Sequence, residues 1–295
     1  MAKAGTMEDS DLFQSIYTHE TIYLPVAEDK SAALEVCLGC SWGKCRFCDF
    51  ARDKFVSHPL EKIERDLKVL ATLQPENPRL FFLGENAFCL PAETLLKIME
   101  LVNVHMPNVL QFAMYARIDD IERKSDEELR ELAESGLDAL HVGVESGCDE
   151  VLEYMNKGIT AAQTIRELHR LDAAGIGYHI TIVPGLGGKT YSKYHAQQTA
   201  RLIDQIHPRS VWCLKLHLFP GTPLHREHEM GAFDQMTPVE VLQEEYFMLQ
   251  NIHKVHTFFM DTTVLDKCTL QGNIPEDMDE LLLGASMLIR NANQL

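Results

Sequence analysis

The sequence lacks any run of about eighteen consecutive apolar residues, and its opening MAKAGTMEDS has no apolar stretch ahead of a cleavage site. The first absence excludes a helix of membrane-spanning length; the second makes the cytoplasm the expected location. Basic residues are scarce, with 27 Lys and Arg against 44 Asp and Glu for a net charge of -17, and no basic run tracks a phosphate backbone. Nucleic acid is therefore disfavoured as a partner on charge balance alone. No internal repeat, low-complexity tract or long linker interrupts the 295 residues, so one large globular domain or two modest ones is expected.

Cysteine is present in quantity and unevenly placed. Four of the eight, Cys37, Cys40, Cys45 and Cys48, fall within the twelve residues of CLGCSWGKCRFC. In a reducing interior such a cluster reads as a metal-ligand set or a catalytic group before it reads as disulfides. The other four, Cys89, Cys148, Cys213 and Cys268, are scattered and read as small buried apolar residues.

From about residue 33 to 218, short β-rich runs alternate with longer amphipathic ones, the pattern of strand-helix units and a parallel sheet. The strands are read in ALEVCL, RLFFLG, VLQFAMYAR, LDALHVGVE, IGYHITIV and SVWCLKLHLF. Helices are read to begin near Pro59, Pro91, Ser125, Thr160 and Tyr191, with Ser125 and Glu128 forming a capping box. Alternation along the strands places Leu34, Val36, Phe112, Met114, Val142, Val144, Ile180, Ile182 and Trp212 on an apolar face. Glu35, Cys37, Tyr115, Arg117, His141, Glu145, His179, Thr181, Cys213 and His217 fall on the other. A polar second face suits a curled sheet around a wet cavity, with helices outside. The fold expected is α/β, a partial (β/α)6 barrel of TIM type over residues 33–223. Residues 1–32 form an N-terminal segment, and residues 224–295 a helical extension closing the barrel.

Cys40, Cys45 and Cys48 make C-x4-C-x2-C just past the first strand, where α/β folds gather ligands. Three thiolates on a short loop suit an iron-sulfur cluster; adding Cys37 gives four, enough for a closed zinc site. Spacing alone leaves both readings open.

The cysteine loop with Phe47 in CRFC, then FFLGEN after the second strand and HVGVESGCDEVLEYMNKG around the fourth, resembles the radical S-adenosylmethionine (SAM) superfamily over about residues 33–223. The first cysteine gap is one residue longer than the C-x3-C-x2-C most frequent there. The resemblance implies a 4Fe-4S cluster held by Cys40, Cys45 and Cys48, its fourth iron chelated by SAM. Such chemistry cleaves SAM reductively to a 5'-deoxyadenosyl radical, which abstracts a hydrogen atom from a small polar substrate. Gly84 and Glu85 match the segment that holds the methionine amino group, Glu145 a ribose contact, and Lys157 and Arg117 cations for the carboxylate. Phe47, Val183 and Pro184 match adenine contacts. A reductant such as flavodoxin or ferredoxin is the implied partner.

Cys37, His141, His179 and His217, all read onto the polar face, are the candidates for a catalytic role, and the three histidines also for a second metal or for haem. The reading from another class is a non-enzymatic zinc protein with a structural four-cysteine site and a binding role.

Overall fold

The computed structural model describes residues 12–50, 53–263 and 270–292. Cys268 lies outside the described residues.

The strands are β1 (Ala32–Glu35), β2 (Cys37–Leu38), β3 (Val56–Ser57), β4 (Arg79–Leu83), β5 (Gln111–Ala116), β6 (Leu137–Glu145), β7 (Gly177–Ile182), β8 (Ser210–Cys213), β9 (Thr257–Asp261) and β10 (Leu270–Ile274). The helices are α1 (Leu60–Leu73), α2 (Ala92–His105), α3 (Ile118–Glu122), α4 (Asp126–Glu134), α5 (Asp149–Tyr154), α6 (Ala161–Ala174), α7 (Gly188–Ile203), α8 (Pro223–Glu229), α9 (Pro238–Gln250) and α10 (Met278–Ala292). The main sheet has the order β1-β4-β5-β6-β7-β8-β9-β10, and β2 pairs with β3 in a separate ribbon. Each of the first five strands of that sheet is followed by helix before the next, the strand-helix repeat expected of a (β/α) barrel.

Helix starts follow local chemistry. Ser125 Oγ accepts from the Glu128 N–H at 3.1 Å while Glu128 Oε2 takes the Ser125 N–H at 2.7 Å, the expected capping box. Pro59 and Pro91 stand at the N-caps of α1 and α2. Thr237 and Glu240 repeat the box at α9, where Pro238 takes the first helical position.

The chain divides into two compact units. The first comprises residues up to Gly43, Phe50–His141 and Ala174–Ile176; the second comprises Lys44–Asp49, Val142–Ala173 and residues from Gly177. In the first unit β1, β4 and β5 pair in parallel, so Leu34, Phe82 and Met114 line up on one apolar face. The opposite face was expected to be wet. Instead Phe81, Tyr115 and His141 meet edge to face, with ring centroids 5.0 to 6.1 Å apart. Beside them Glu28, from the 3-10 turn Val26–Glu28, binds Arg79 through both carboxylate oxygens at 2.7 Å and His141 Nε2 at 3.1 Å. Aromatic packing and a satisfied ion-pair network thus fill this part of the polar face.

Two other expectations are corrected. ALEVCL is not one strand: the Val36 N–H donates to the Leu83 carbonyl while the Val36 carbonyl accepts from the His58 N–H, and Cys37–Leu38 turns away to pair antiparallel with Val56–Ser57. Glu35 is consequently enclosed by Thr18, His58 and Lys62, and Cys37 is fully buried. In the second unit Ile180 pairs with Val211 and Ile182 with Cys213, which puts Cys213 on the apolar face and Trp212 beside Thr181. The alternation was read one residue out of frame in β8 because that strand stops at Cys213, before LKLHLF.

The extension is also more than helical. β9 adds in parallel to β8 and β10 returns antiparallel to it. LQGNI, with its Gly and Asn, has little strand propensity of its own, so cross-strand pairing decides its conformation.

The buried acids have a measurable consequence. Burial would raise the pKa of Glu28, but hydrogen bonds from Arg79, His141 and Ser31 and the Arg79 charge outweigh it and bring the value to about 2. Glu35 likewise falls to about 2, burial being outweighed by His58, Thr18 and Lys62. Both folded values lie below the ordinary 4.5, so their stabilisation is complete above that pH and is lost as pH falls toward 2. Glu28→Gln should lower stability at neutral pH and flatten the loss between pH 4.5 and 2, as read by urea unfolding at several pH values. An unchanged slope would remove Glu28 from the acid response.

Candidate active site

The cysteine loop leaves β2 and is tied at both ends. On its first-unit side Gly39 has φ +73, and a Cβ there would lie 2.6 Å from the Asp53 carbonyl oxygen, so the turn requires glycine. After Cys40, the Ser41 N–H donates to Asn86 Oδ1 at 3.0 Å, and Asn86 Nδ2 reaches Ser41 Oγ and Asp120 Oδ2. Trp42 lies under the Arg117 guanidinium, 5.0 Å from the ring centroid. On its second-unit side the Arg46 N–H donates to the Met155 carbonyl and the Leu224 N–H to the Arg46 carbonyl, both at 3.0 Å. Arg46 also pairs with Glu227, which accepts from the Tyr154 hydroxyl at 2.7 Å. Cys40, Cys45 and Cys48 are in no disulfide among the described residues and lie half-buried on this anchored loop. Phe47, between the last two, packs on the apolar cluster that includes Met155, Val183, Leu186 and Leu224.

Past β4, Gly84 adopts φ +142, and a Cβ there would overlap Cys37 Sγ. Burial, with Cys89 and the carboxylates of Glu85 and Glu35 nearby, drives the Cys37 thiol far above its ordinary range and keeps it neutral. Cys37 is therefore the packing partner of Gly84. Glu85 is half-buried; its pKa is raised, first by burial and then by the charges of Asp53 and Glu35. Its Oε2 is buried with no hydrogen-bond partner, an acceptor left open for a donor that the chain does not supply. Arg117, just after β5, is 5% exposed and its Nε bonds Asp119 at 2.8 Å.

In the second unit Glu145 ends β6 with φ +67, a left-handed conformation that a non-glycine residue rarely adopts. Three partners hold it. Lys157 Nζ lies 3.1 Å from Oε1, the Thr181 hydroxyl donates to Oε2 at 2.9 Å, and the Val183 N–H donates to the Glu145 carbonyl at 3.0 Å. Gly143 leaves the room: a Cβ there would overlap Glu145 Oε1 and lie 3.1 Å from Lys157 Nζ. Val183 and Pro184 are buried, and Gly185, one residue on, donates its N–H to Glu244 Oε1 at 2.7 Å. Glu145, Lys157 and Val183 are thus brought together as one arrangement.

The histidines are placed differently. His141 is bound to Glu28, His179 Nδ1 lies 2.7 Å from Ser210 Oγ, and His217 is exposed, its ring 5.6 Å from Phe219. Sequence reasoning did not single out Asn86, Trp42, Asp120 or Glu244. Asn86 stood within the quoted FFLGEN, but Glu244 is 59 residues from Gly185 and only the fold reveals it.

The family model of the radical SAM superfamily matches residues 34–203, more than half of the chain, so the protein belongs to that superfamily. It is 27% identical over 225 residues to the "Heme chaperone HemW" of Bacillus subtilis, covering 72% of this chain and 57% of that protein. It is 26% identical over 256 residues to the "tRNA-2-methylthio-N(6)-dimethylallyladenosine synthase" of Alkalilimnicola ehrlichii, covering 81% and 53%. The chain spans about half the length of these curated relatives. Among solved structures it resembles methylornithine synthase (PylB), with TM-score 0.52 and 13% identity over 95% of this chain and 86% of the other. The methyltransferase TsrM of Kitasatospora setae matches with TM-score 0.55 and 15% identity over 72% and 43%. These likenesses establish the α/β fold of the TIM-type partial barrel. Family membership brings the 4Fe-4S cluster and SAM as cofactors. The chain's residues fit both: three half-buried thiols on a tethered loop are suitable soft donors, and the unpartnered Glu85 oxygen suits an amino group. None of these similarities supports a structural zinc protein. Among the described residues no helix is long and apolar enough to cross a membrane.

Gly84→Ala should destabilise the fold by about 1 to 3 kcal/mol, since the new methyl overlaps Cys37 Sγ in a φ that alanine resists. Thermal melting measures this, and Cys37→Gly in the same chain should restore part of the loss. A wild-type melting temperature in Gly84→Ala would contradict the packing described.

Proposed function

We propose that the protein is a radical SAM enzyme whose cluster is held by Cys40, Cys45 and Cys48 and whose substrate is small and polar. When bound, the cluster and SAM supply reductive sulfonium cleavage and a 5'-deoxyadenosyl radical for hydrogen-atom abstraction. The observation that carries the reading is the unpartnered, buried Glu85 oxygen immediately after β4, beside a chain segment tied to the cysteine loop through Asn86.

In this reading Glu85 accepts from the SAM amino group, and Gly84 lets the backbone approach it. Glu145 orients the ribose, its carboxylate fixed by Lys157 and Thr181. Lys157 and Arg117 supply positive charge for the SAM carboxylate, while Phe47, Val183 and Pro184 offer an apolar bed for adenine. Residues 33–223 carry the chemistry, residues 224–295 extend it, and a flavodoxin or ferredoxin supplies the electron. The matched relatives are named for haem and for tRNA; this reading gives the present chain a different, small substrate. The charge of -17 favours a small molecule here.

After anaerobic loading with iron and sulfide and reduction, the protein should convert SAM to 5'-deoxyadenosine and methionine, read by liquid chromatography. A fully loaded chain that leaves SAM intact under strong reduction, with and without candidate substrates, would sink the proposal. Glu145→Ala should retain the cluster and weaken SAM binding about tenfold to a hundredfold, the worth of a charge-assisted hydrogen bond. An unchanged SAM titration would take Glu145 out of the site.

A further inference from the structure

Away from the cysteine loop and from Glu145, three metal-capable side chains converge on the surface of the second unit. His169 and Asp172 lie three residues apart on α6 and therefore share a face of that helix. His207 comes from the turn between α7 and β8. The ligand atoms of the three all lie within 4.8 Å of one another, and the two imidazole rings stack at 5.9 Å with an interplanar angle of 26°.

The surroundings orient each group. His169 Nε2 lies 2.7 Å from the Gln205 carbonyl, which can only accept, so Nε2 carries the hydrogen and Nδ1 keeps its lone pair. Such a bond from the distal ring nitrogen to a carbonyl is the usual outer support of a metal-binding histidine. Gln205 is itself fixed, its Nε2 donating to the Arg201 carbonyl at 2.8 Å. His207 is held by its backbone N–H, which donates to the buried Tyr178 hydroxyl at 2.7 Å, and Pro208 after it restricts its backbone to extended conformations. The Asp172 carboxylate meets His207 Nδ1 at 2.8 Å.

We infer that His169, Asp172 and His207 form an open surface site for a borderline divalent cation, with zinc as its representative. Two imidazoles and one carboxylate suit zinc, nickel, cobalt or copper, and a magnesium or calcium site would need oxygen donors throughout. The cation takes the place of the proton shared by His207 and Asp172, which leaves to solvent, and the His169 Nδ1 lone pair completes three protein ligands. Water fills the remaining position, as in zinc sites with three protein ligands. No ligand is shared with the cysteine loop, so this site is independent of the SAM chemistry.

Zinc should be titrated by calorimetry into anaerobic, cluster-loaded protein, in which Cys40, Cys45 and Cys48 are already occupied. One zinc ion per chain is expected, with affinity lowered tenfold or more in both His207→Ala and Asp172→Asn and proton release on binding. Zinc should also protect His169 and His207 from carbethoxylation, read by mass spectrometry, and neither variant should change 5'-deoxyadenosine formation. Absence of zinc uptake by the loaded protein, or uptake equal in wild type and both variants, overturns the assignment. Either result leaves the cysteine-loop reading untouched, because that reading is scored by SAM cleavage.

Discussion

Within each unit the register of the parallel strands is the constraint on which the candidate residues depend. Within a unit, parallel pairing aligns the strand ends, and the candidate residues follow where each strand releases the chain. Gly84 and Glu85 follow β4, Arg117 follows β5, Glu145 closes β6, and Val183 and Pro184 follow β7. Ladder hydrogen bonding stops there, so backbone conformations forbidden inside a strand become available. Gly84 at φ +142 and Glu145 at φ +67 both use that release. A slip of one residue in β6 would turn Glu145 to the opposite face and break its bonds with Lys157 and Thr181.

Much of this was legible in the sequence because it is local. Pro59, Pro91 and the Ser125–Glu128 pair marked helix starts, and the β6 run LDALHVGVE was bounded as it stands in the fold. The order of cysteine loop, LGEN and GVESG carried the family resemblance, which the match over residues 34–203 bears out. What escaped reading depends on partners distant in sequence. Val36 leaves the sheet because His58 competes for its carbonyl, and this redirects Cys37 from the expected polar face to burial against Gly84. β10 forms because β9 offers a ladder, and the Phe81, Tyr115 and His141 rings fill space that alternation alone would leave to water. Period-two reading assigns a side chain to a face but cannot say what covers that face.

Burial divides the cysteines into two groups. Cys37 and Cys213 are fully enclosed and their thiols are pushed up by desolvation, whereas Cys40, Cys45 and Cys48 stay half-buried on a loop held by backbone and side-chain bonds. The three cysteines proposed as cluster ligands all belong to the second group. Three thiolates leave one iron of a four-iron cluster without a protein ligand, and that vacancy is what SAM chemistry requires. A fourth thiolate from Cys37 would close it.

The Mössbauer spectrum of the chain loaded with iron-57, recorded with and without SAM, tests this account most directly. Three protein thiolates predict that about one quarter of the iron signal moves to a separate site on SAM addition while the rest stays in place. A spectrum that SAM leaves unchanged at saturating concentration would mean that all four irons are already satisfied, and the three-cysteine account would be wrong.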